Sequence, residues 1–392
     1  MIVLLIIIYI AFISLGLPDS LLGSAWPVMR TDLSANVAVA GYIGMLVQAG
    51  TIVSSLSSTR LILRFGTGKV TLVSVAMTAL ALFGWSVSPS IGWLFVCAIP
   101  LGLGAGSVDA ALNHFVATHY ESKHMNWLHC FWGVGATTGP AIIALTLAQG
   151  GGWRSGYAII AIIQTLLVLG LLFSLPLWKR AALTPTVAKH EESAVRSNRQ
   201  ALRIPFVKLA LVSFVFFCAT EATTGLWTSS YLVAIHGFSG VEAARAVSFF
   251  YGAITFGRLL AGLLSMKLSS HVLIRTGQIT CVGGAGLLML PLPPVLSVTG
   301  IILLGLGTAP IYPAMLHETP QRFGATGAQA IMGLQMAFAY MGSTCFPPLF
   351  GTIATWTGIG LFPYYVMACA VIMLIASERL QRKIQARFAA RI

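Results

Sequence analysis

Apolar runs about as long as a bilayer is thick, separated by short polar loops, fill almost the whole chain. A helix crosses the hydrocarbon in about 20 residues. Twelve runs reach that length: 2–29, 36–59, 69–88, 91–119, 125–148, 153–177, 206–234, 243–266, 272–290, 294–317, 325–351 and 357–377. Transmembrane barrels alternate apolar and polar residues over short strands. The unbroken runs here predict helices, so the expected fold is an all-α membrane protein of twelve transmembrane helices. The first run is longer than the apolar region of a signal peptide and lacks a basic leader, and is read as an uncleaved first span.

The one long polar stretch is KRAALTPTVAKHEESAVRSNRQALR. It divides the chain into a six-helix bundle over 1–178, a linker over 179–205, and a second six-helix bundle over 206–392 that ends in a basic tail. Composition agrees: 57% of the 392 residues are hydrophobic and 8% charged, against roughly 25% charged in soluble domains. The formal charge of +13 would point to nucleic acid in a soluble protein, but here the cations sit in loops and nucleic acid is not expected. Arg60, Arg64 and Lys69 follow the second run, Lys123 the fourth, and Lys179 to Arg203 fill the linker. Lys267 and Arg275 follow the eighth, Arg322 the tenth, and Arg379 to Arg391 the last. The opposite loops hold only Arg30, Arg154 and Arg245. The positive-inside rule then puts both termini and the linker in the cytoplasm of a cell inner membrane. The tail is an inside-positive anchor that can also meet anionic membrane lipid. The six cysteines all fall in apolar stretches without paired spacing, so they read as core residues and no metal site is expected.

The two halves look related. Asp19, Gly23 and Trp26 in the first span have counterparts in Glu221, Gly225 and Trp227 in the seventh. LGLGAGSVDAALNH in the fourth pairs with LGLGTAPIYPAMLH in the tenth, and LHCFWGVGATTGP in the fifth with LQMAFAYMGSTCFPPLFG in the eleventh. Two parallel six-helix repeats imply a cavity between pseudo-symmetric halves and alternating access by rocking.

Of the ten acids in the chain, Asp19, Asp109 and Glu221 lie well inside predicted spans. An ionisable group there costs about 2.5–3.5 kcal/mol on insertion scales and marks a functional site by default. These three are the proton-coupling candidates; the bland alternative is bracing between helices. Asn113, at i+4 from Asp109, shares its helix face, and an acid beside an amide can bind a polyol. His129 and Gln335 occupy corresponding places in the repeat and are expected to contact solute, with Gln48 as a weaker candidate. Trp227 and Tyr231 lie one turn apart, and Trp227 is a candidate stacking face for a sugar; Trp127, Trp132 and Tyr340 are further aromatics of lower rank. Arg258, a cation inside the eighth span, reads as a gate or anchor that reaches carbonyls or an acid. No P-loop, H-E-x-x-H, zinc spacing or G-x-S-x-G occurs, so neither ATP, nor a cofactor, nor enzyme chemistry is expected.

Taken together these features resemble the major facilitator superfamily over essentially the whole chain. The loop STRLILRFGTGKVTLVS is similar to that superfamily's loop signature, with Arg64, Gly66 and Lys69 in place as gating or structural residues, but without its usual acid. Within the superfamily, GLPDSLLGSAWP, LGLGAGSVDAALN and NWLHCFWGVGATTGP resemble the fucose permease-like sugar:proton symporters. That resemblance implies proton coupling and sugar binding through Asp19 and Asp109, the latter an Asp where the fucose permease has Glu. It also implies a monomer. The expectation is a proton-coupled symporter of a small polar solute, a monosaccharide first, with sodium open as coupling ion. Export of drugs or metabolites by antiport, and a non-transporting receptor on the same fold, are the alternatives.

Overall fold

In the computed structural model, residues 2–120, 122–181, 198–291 and 293–389 are described, and among them no strand occurs. Helix α1 (Ile2–Asp19) is followed after a single turn residue by α2 (Leu21–Asp32). Then come α3 (Val39–Phe65), α4 (Thr67–Ser86), α5 (Ile91–His119), α6 (Ser122–Ala148) and α7 (Gly152–Ala181). The middle of the expected linker, 182–197, lies outside the described residues, and its end forms the short α8 (Asn198–Ala201). Helices α9 (Val207–His236), α10 (Gly240–Leu264) and α11 (Ser270–Met289) follow. The tenth run is split into α12 (Pro294–Thr308) and α13 (Ile311–Phe323). Last are α14 (Ala325–Thr357), a 3-10 turn over Ile359–Leu361, and α15 (Phe362–Ala389). Eleven spans among the described residues are long and apolar enough to cross a membrane. α14 is outside that set, because its 33 residues include glutamines, threonines and two prolines; at 1.5 Å per residue it is nonetheless about 50 Å long.

Helices overrun the expected boundaries wherever no stop signal intervenes. α3 continues past 59 to Phe65 and ends where Gly66 takes φ +80°, a left-handed conformation that favours glycine. The expected basic tail is mostly the last turns of α15; its final residues, 390–392, lie outside the described residues.

Two breaks interrupt spans that the pattern reads as continuous. The first is at Ser20. Pro18 has no N–H for the Ser14 carbonyl, and Gln164 of α7 supplies one: its Nε2 donates to that carbonyl at 2.6 Å, while Ser14 Oγ donates to Gln164 Oε1 at 2.6 Å. A neighbouring helix thus satisfies the backbone group that proline frees, as hydrocarbon surroundings require. The second break, between α12 and α13, falls at Ala309 and Pro310.

The chain divides into two compact units, Met1–His190 with Thr228–Gly252, and Glu191–Trp227 with Ala253–Ile392. Compactness therefore divides the chain between His190 and Glu191, within the expected linker, and also cuts α9 after Trp227 and α10 after Gly252. The reason is local to the first unit: Ser229 Oγ donates to the Ser24 carbonyl at 3.2 Å, and Ser248 Oγ to the Thr137 carbonyl at 2.8 Å.

Glycines set the close helix packing in each unit. In the first, a Cβ on Gly139 of α6 would lie 2.5 Å from the Leu17 carbonyl oxygen of α1, and one on Gly104 of α5 2.5 Å from the Ser74 carbonyl of α4. In the second, Gly342 of α14 lies against Val215 of α9, and Gly284 of α11 against Gly300 of α12. The second set of helices repeats the pairings of the first, as the paired motifs lead one to expect.

Candidate functional site

Asp19 closes α1, at mid-length of the Ile2–Asp32 span, and its side chain is exposed. Its direction follows from helical geometry. Val3, Ile6 and Ile10 form the exposed apolar stripe of α1. At 100° per residue Asp19 lies roughly opposite them, away from the lipid face. Its Oδ2 accepts from Trp132 Nε1 of α6 at 2.8 Å. Close packing makes this possible, because Gly16, Gly135 and Gly139 bring the backbones of α1 and α6 together.

Asp109 lies on α5 of the same unit. Asn113 Nδ2 donates to Asp109 Oδ1 at 2.8 Å and to its carbonyl at 3.0 Å, so the i, i+4 spacing is realised as a bonded pair. Both side chains are half-buried. His129 is exposed, one turn before Trp132 on α6, with its ring edge-on to Phe12 at 6.0 Å. Tyr251 stands edge-on to Trp132 at 6.4 Å. The first unit therefore gathers two carboxyls, an amide, an imidazole and an indole on α1, α5 and α6. No ion pair to either acid exists among the described residues. Hydroxyl-rich solutes fit such acceptors and aromatic faces.

In the second unit, Glu221 of α9 is half-buried beside Arg258 of α10, with 4.0 Å between Arg258 Nη2 and Glu221 Oε2. That is an ion pair too long for a hydrogen bond, and Oε2 has no hydrogen-bond partner. Arg258 thus reaches an acid, one of the two options its position allowed.

Two expected solute contacts are corrected. Trp227 is 0% exposed; its Nε1 donates to the Pro347 carbonyl at 2.9 Å and its ring meets Phe350 edge-on. It fastens α9 to α14 and offers no open face. Gln335 is 1% exposed and its Oε1 accepts from Thr319 Oγ1 at 3.0 Å, bracing α13 against α14. The equivalence with His129 is one of sequence position, because the two residues sit in unlike surroundings. Gln48 is half-buried, and no side-chain hydrogen bond of it occurs among the described residues. Arg64 and Lys69 are exposed at the α3–α4 loop and form no ion pair among the described residues; Arg64 lies over Phe65. The missing acid of the loop signature is felt there.

Several working residues escaped the sequence reading. Gln164, an amide amid the apolar run of α7, was the visible sign of a backbone group needing a partner. Arg154 pairs with Asp32 and donates to the Ser88 carbonyl at 2.8 Å, tying the ends of α2, α4 and α7. Glu318 and Arg322 pair within α13, Arg322 reaches Gln381 at 3.2 Å, and Arg275 meets Glu378 at 3.2 Å, joining α11, α13 and α15. Among the described residues, no cluster of three or more His, Cys, Asp or Glu could hold a metal.

Known proteins are similar to this chain in sequence and in architecture. The chain is 25% identical over 266 residues to the Glucose/mannose transporter GlcP of Bacillus subtilis, covering 62% of this chain and 61% of that one. It is 23% identical over 288 residues to the Cis,cis-muconate transport protein of Acinetobacter baylyi, covering 69% and 68%. The fold matches a bacterial homolog of the human lysosomal transporter Spinster in an inward-facing, unoccupied conformation, with TM-score 0.76, 15% identity, and 97% and 96% of the two chains covered. The model of the Major Facilitator Superfamily matches residues 8–331. With its membrane-length helices and that match over most of its length, this multi-pass membrane protein belongs to the Major Facilitator Superfamily and is a transporter of small-molecule solutes.

Proposed function

We propose that the chain is a proton-coupled symporter of a neutral, hydroxyl-rich solute of the monosaccharide class, of the fucose permease-like kind. The observation that carries this reading is the two acids on α1 and α5 of the first unit, each held by a neutral donor. Asp19 is held by Trp132 and Asp109 by Asn113, and among the described residues no cation pairs with either. Two carboxyls without a counter-ion need a proton to become neutral, and neutrality removes the penalty for closing them off from water. The proton is thus the natural coupling ion. Asp109, Asn113, His129 and the Trp132 face supply acceptors, donors and a stacking surface for sugar hydroxyls and C–H faces, with Gln48 as an additional free amide.

A dianion such as the solute of the muconate-transporting relative would meet two acids and no cation, and like charges juxtaposed cost several kcal/mol. A neutral sugar, the solute class of the glucose- and mannose-transporting relative, avoids that. Glu221 already has Arg258 as a fixed counter-charge, so it serves less well as the exchanging site. One charge moving through 100 mV contributes about 2.3 kcal/mol, enough for roughly fifty-fold accumulation. The distribution of Lys and Arg supports an inner-membrane location with both termini in the cytoplasm.

The test is solute-triggered alkalinisation of a weakly buffered suspension of cells expressing the protein, screened over a panel of sugars. One sugar should give a signal that Asp109→Asn abolishes, with Asp19→Asn equally silent. Uptake of that sugar with no proton movement, or proton movement that survives both substitutions, would overturn the assignment.

A further inference from the structure

The second unit carries a cluster of cations that the transport reading does not use. Where α9 begins and α15 ends, Arg203, Lys208, Arg382, Lys383 and Arg387 are all exposed, and none forms an ion pair among the described residues. The acids of that end are engaged elsewhere, Glu378 by Arg275 and Glu318 by Arg322. Between α8 and α9 lies an open hollow of about 510 Å³ lined by Gln200, Arg203, Ile204 and Pro205. Phe206, next in the chain, has φ +71°, a strained conformation for a bulky residue. The Lys383 ammonium lies over its ring at 5.4 Å, so α15 brings a second cation beside the segment that lines the hollow. Arg387, at i+4 from Lys383, continues the same face.

The depth along the membrane normal puts Lys383 at the outer edge of a headgroup layer, which its long side chain can reach back into. The apolar part of α15 ends at Ser377, and Lys383 follows Glu378 by five residues, about 8 Å along the helix axis. The headgroup layer beyond the hydrocarbon is about 5–7 Å deep on each side. Under the hollow, Ala201 and Val207 are buried, and Leu202 and Ile204 pack on them, so the floor is apolar and the rim is cationic. We propose that this hollow holds the phosphate of an anionic phospholipid, with Arg203 and Lys383 on the phosphate and Arg387 behind them, and the acyl chains running down the outside of the unit. Guanidinium and ammonium groups without counter-ions match a phosphodiester in charge, and a zwitterionic headgroup would bring its own cation to the same place.

The experiment is native mass spectrometry of the full chain purified in detergent with added phosphatidylglycerol, phosphatidylcholine or inorganic phosphate. Each cation near an anionic surface contributes about fivefold in affinity. Arg203→Gln/Lys383→Gln/Arg387→Gln should therefore lower phosphatidylglycerol retention by roughly a hundredfold, and Arg203→Gln alone by about fivefold. The single variant guards against a triple variant that fails to fold. Arg245→Gln, exposed near the start of α10, should retain lipid as the parent does. Equal retention of phosphatidylcholine, displacement by inorganic phosphate at the same concentration, unchanged retention in both the triple and the single variant, or an equal loss with Arg245→Gln would each overturn the proposal.

Discussion

The approach of α1 and α6 places Trp132 on Asp19, and Gly139→Ala tests whether that approach is required. A Cβ at 139 would sit 2.5 Å from the Leu17 carbonyl oxygen and 2.9 Å from Ser20 Oγ, where ordinary contact begins at 3.4 Å. The Ser20 hydroxyl can rotate away. The Leu17 carbonyl is backbone in the last turn of α1 and cannot, so the two helices must part by roughly 1 Å, which overpacking makes worth about 1–3 kcal/mol. A separation of that size stretches the 2.8 Å Trp132–Asp19 bond past hydrogen-bond range, and a bond to a charged group is worth about 1.5–3 kcal/mol. The variant should therefore melt lower in detergent and lose most of its solute uptake together. The control is Gly170→Ala on α7, where a Cβ meets nothing within 4 Å; alanine's better helix propensity, up to about 1 kcal/mol, should leave it equal or slightly more stable. Indistinguishable melting and uptake for the two variants would refute the argument that close packing at this contact builds the site.

Other expectations concern single residues. Trp227→Phe removes the bond to the Pro347 carbonyl and should lower stability by about 1 kcal/mol while leaving the KM for the transported sugar unchanged; a raised KM would restore Trp227 to the solute site. Glu221→Gln strands the half-buried Arg258 charge, so it should destabilise more than the double variant Glu221→Gln/Arg258→Leu, with a coupling of about 1–3 kcal/mol in a thermal-melt cycle; additive losses would mean the pair is not an interacting one. Gln164→Leu leaves the Ser14 carbonyl without its partner and should cost about 1–3 kcal/mol, whereas Gln164→Leu with Pro18→Ala, which returns an N–H to that carbonyl, should recover most of it; no recovery would detach Gln164 from the helix break. Arg154→Lys should stabilise less than Arg154, since lysine cannot hold Asp32 and Ser88 at once while stacking on Trp153; equal melting temperatures would reduce the clamp to a screened surface pair.

Much of this was legible in the sequence because the bilayer imposes simple rules. Apolar length gave the spans, and i, i+4 spacing gave the Asp109–Asn113 pair. The paired motifs anticipated the repeated helix pairings. What stayed hidden depends on which neighbour a side chain finds. Trp227 and Trp132 look alike along the chain, each among glycines and small residues. One is sealed against Phe350, and the other donates to Asp19, a difference made by helix contacts far apart in sequence. Gln335 carries the same donors and acceptors as a ligand-binding glutamine, but Thr319 on the preceding helix takes its oxygen. The break at Ser20 was masked because prolines are common in membrane helices and most are absorbed without a break.

That break also explains why the acid stands where it does. A carboxyl in the middle of an unbroken helix has its backbone fully committed and must find its partners sideways. Asp19 instead ends α1, at the negative pole of that half-helix, where a hydrogen-bond donor is favourable. The donor is present as the Trp132 indole N–H. A second acid of the same unit, Asp109, is held by the Asn113 amide one turn along α5. Asp19 thus stands at a helix break with an indole as its donor, whereas Glu221 lies inside an unbroken helix with a guanidinium of α10 beside it.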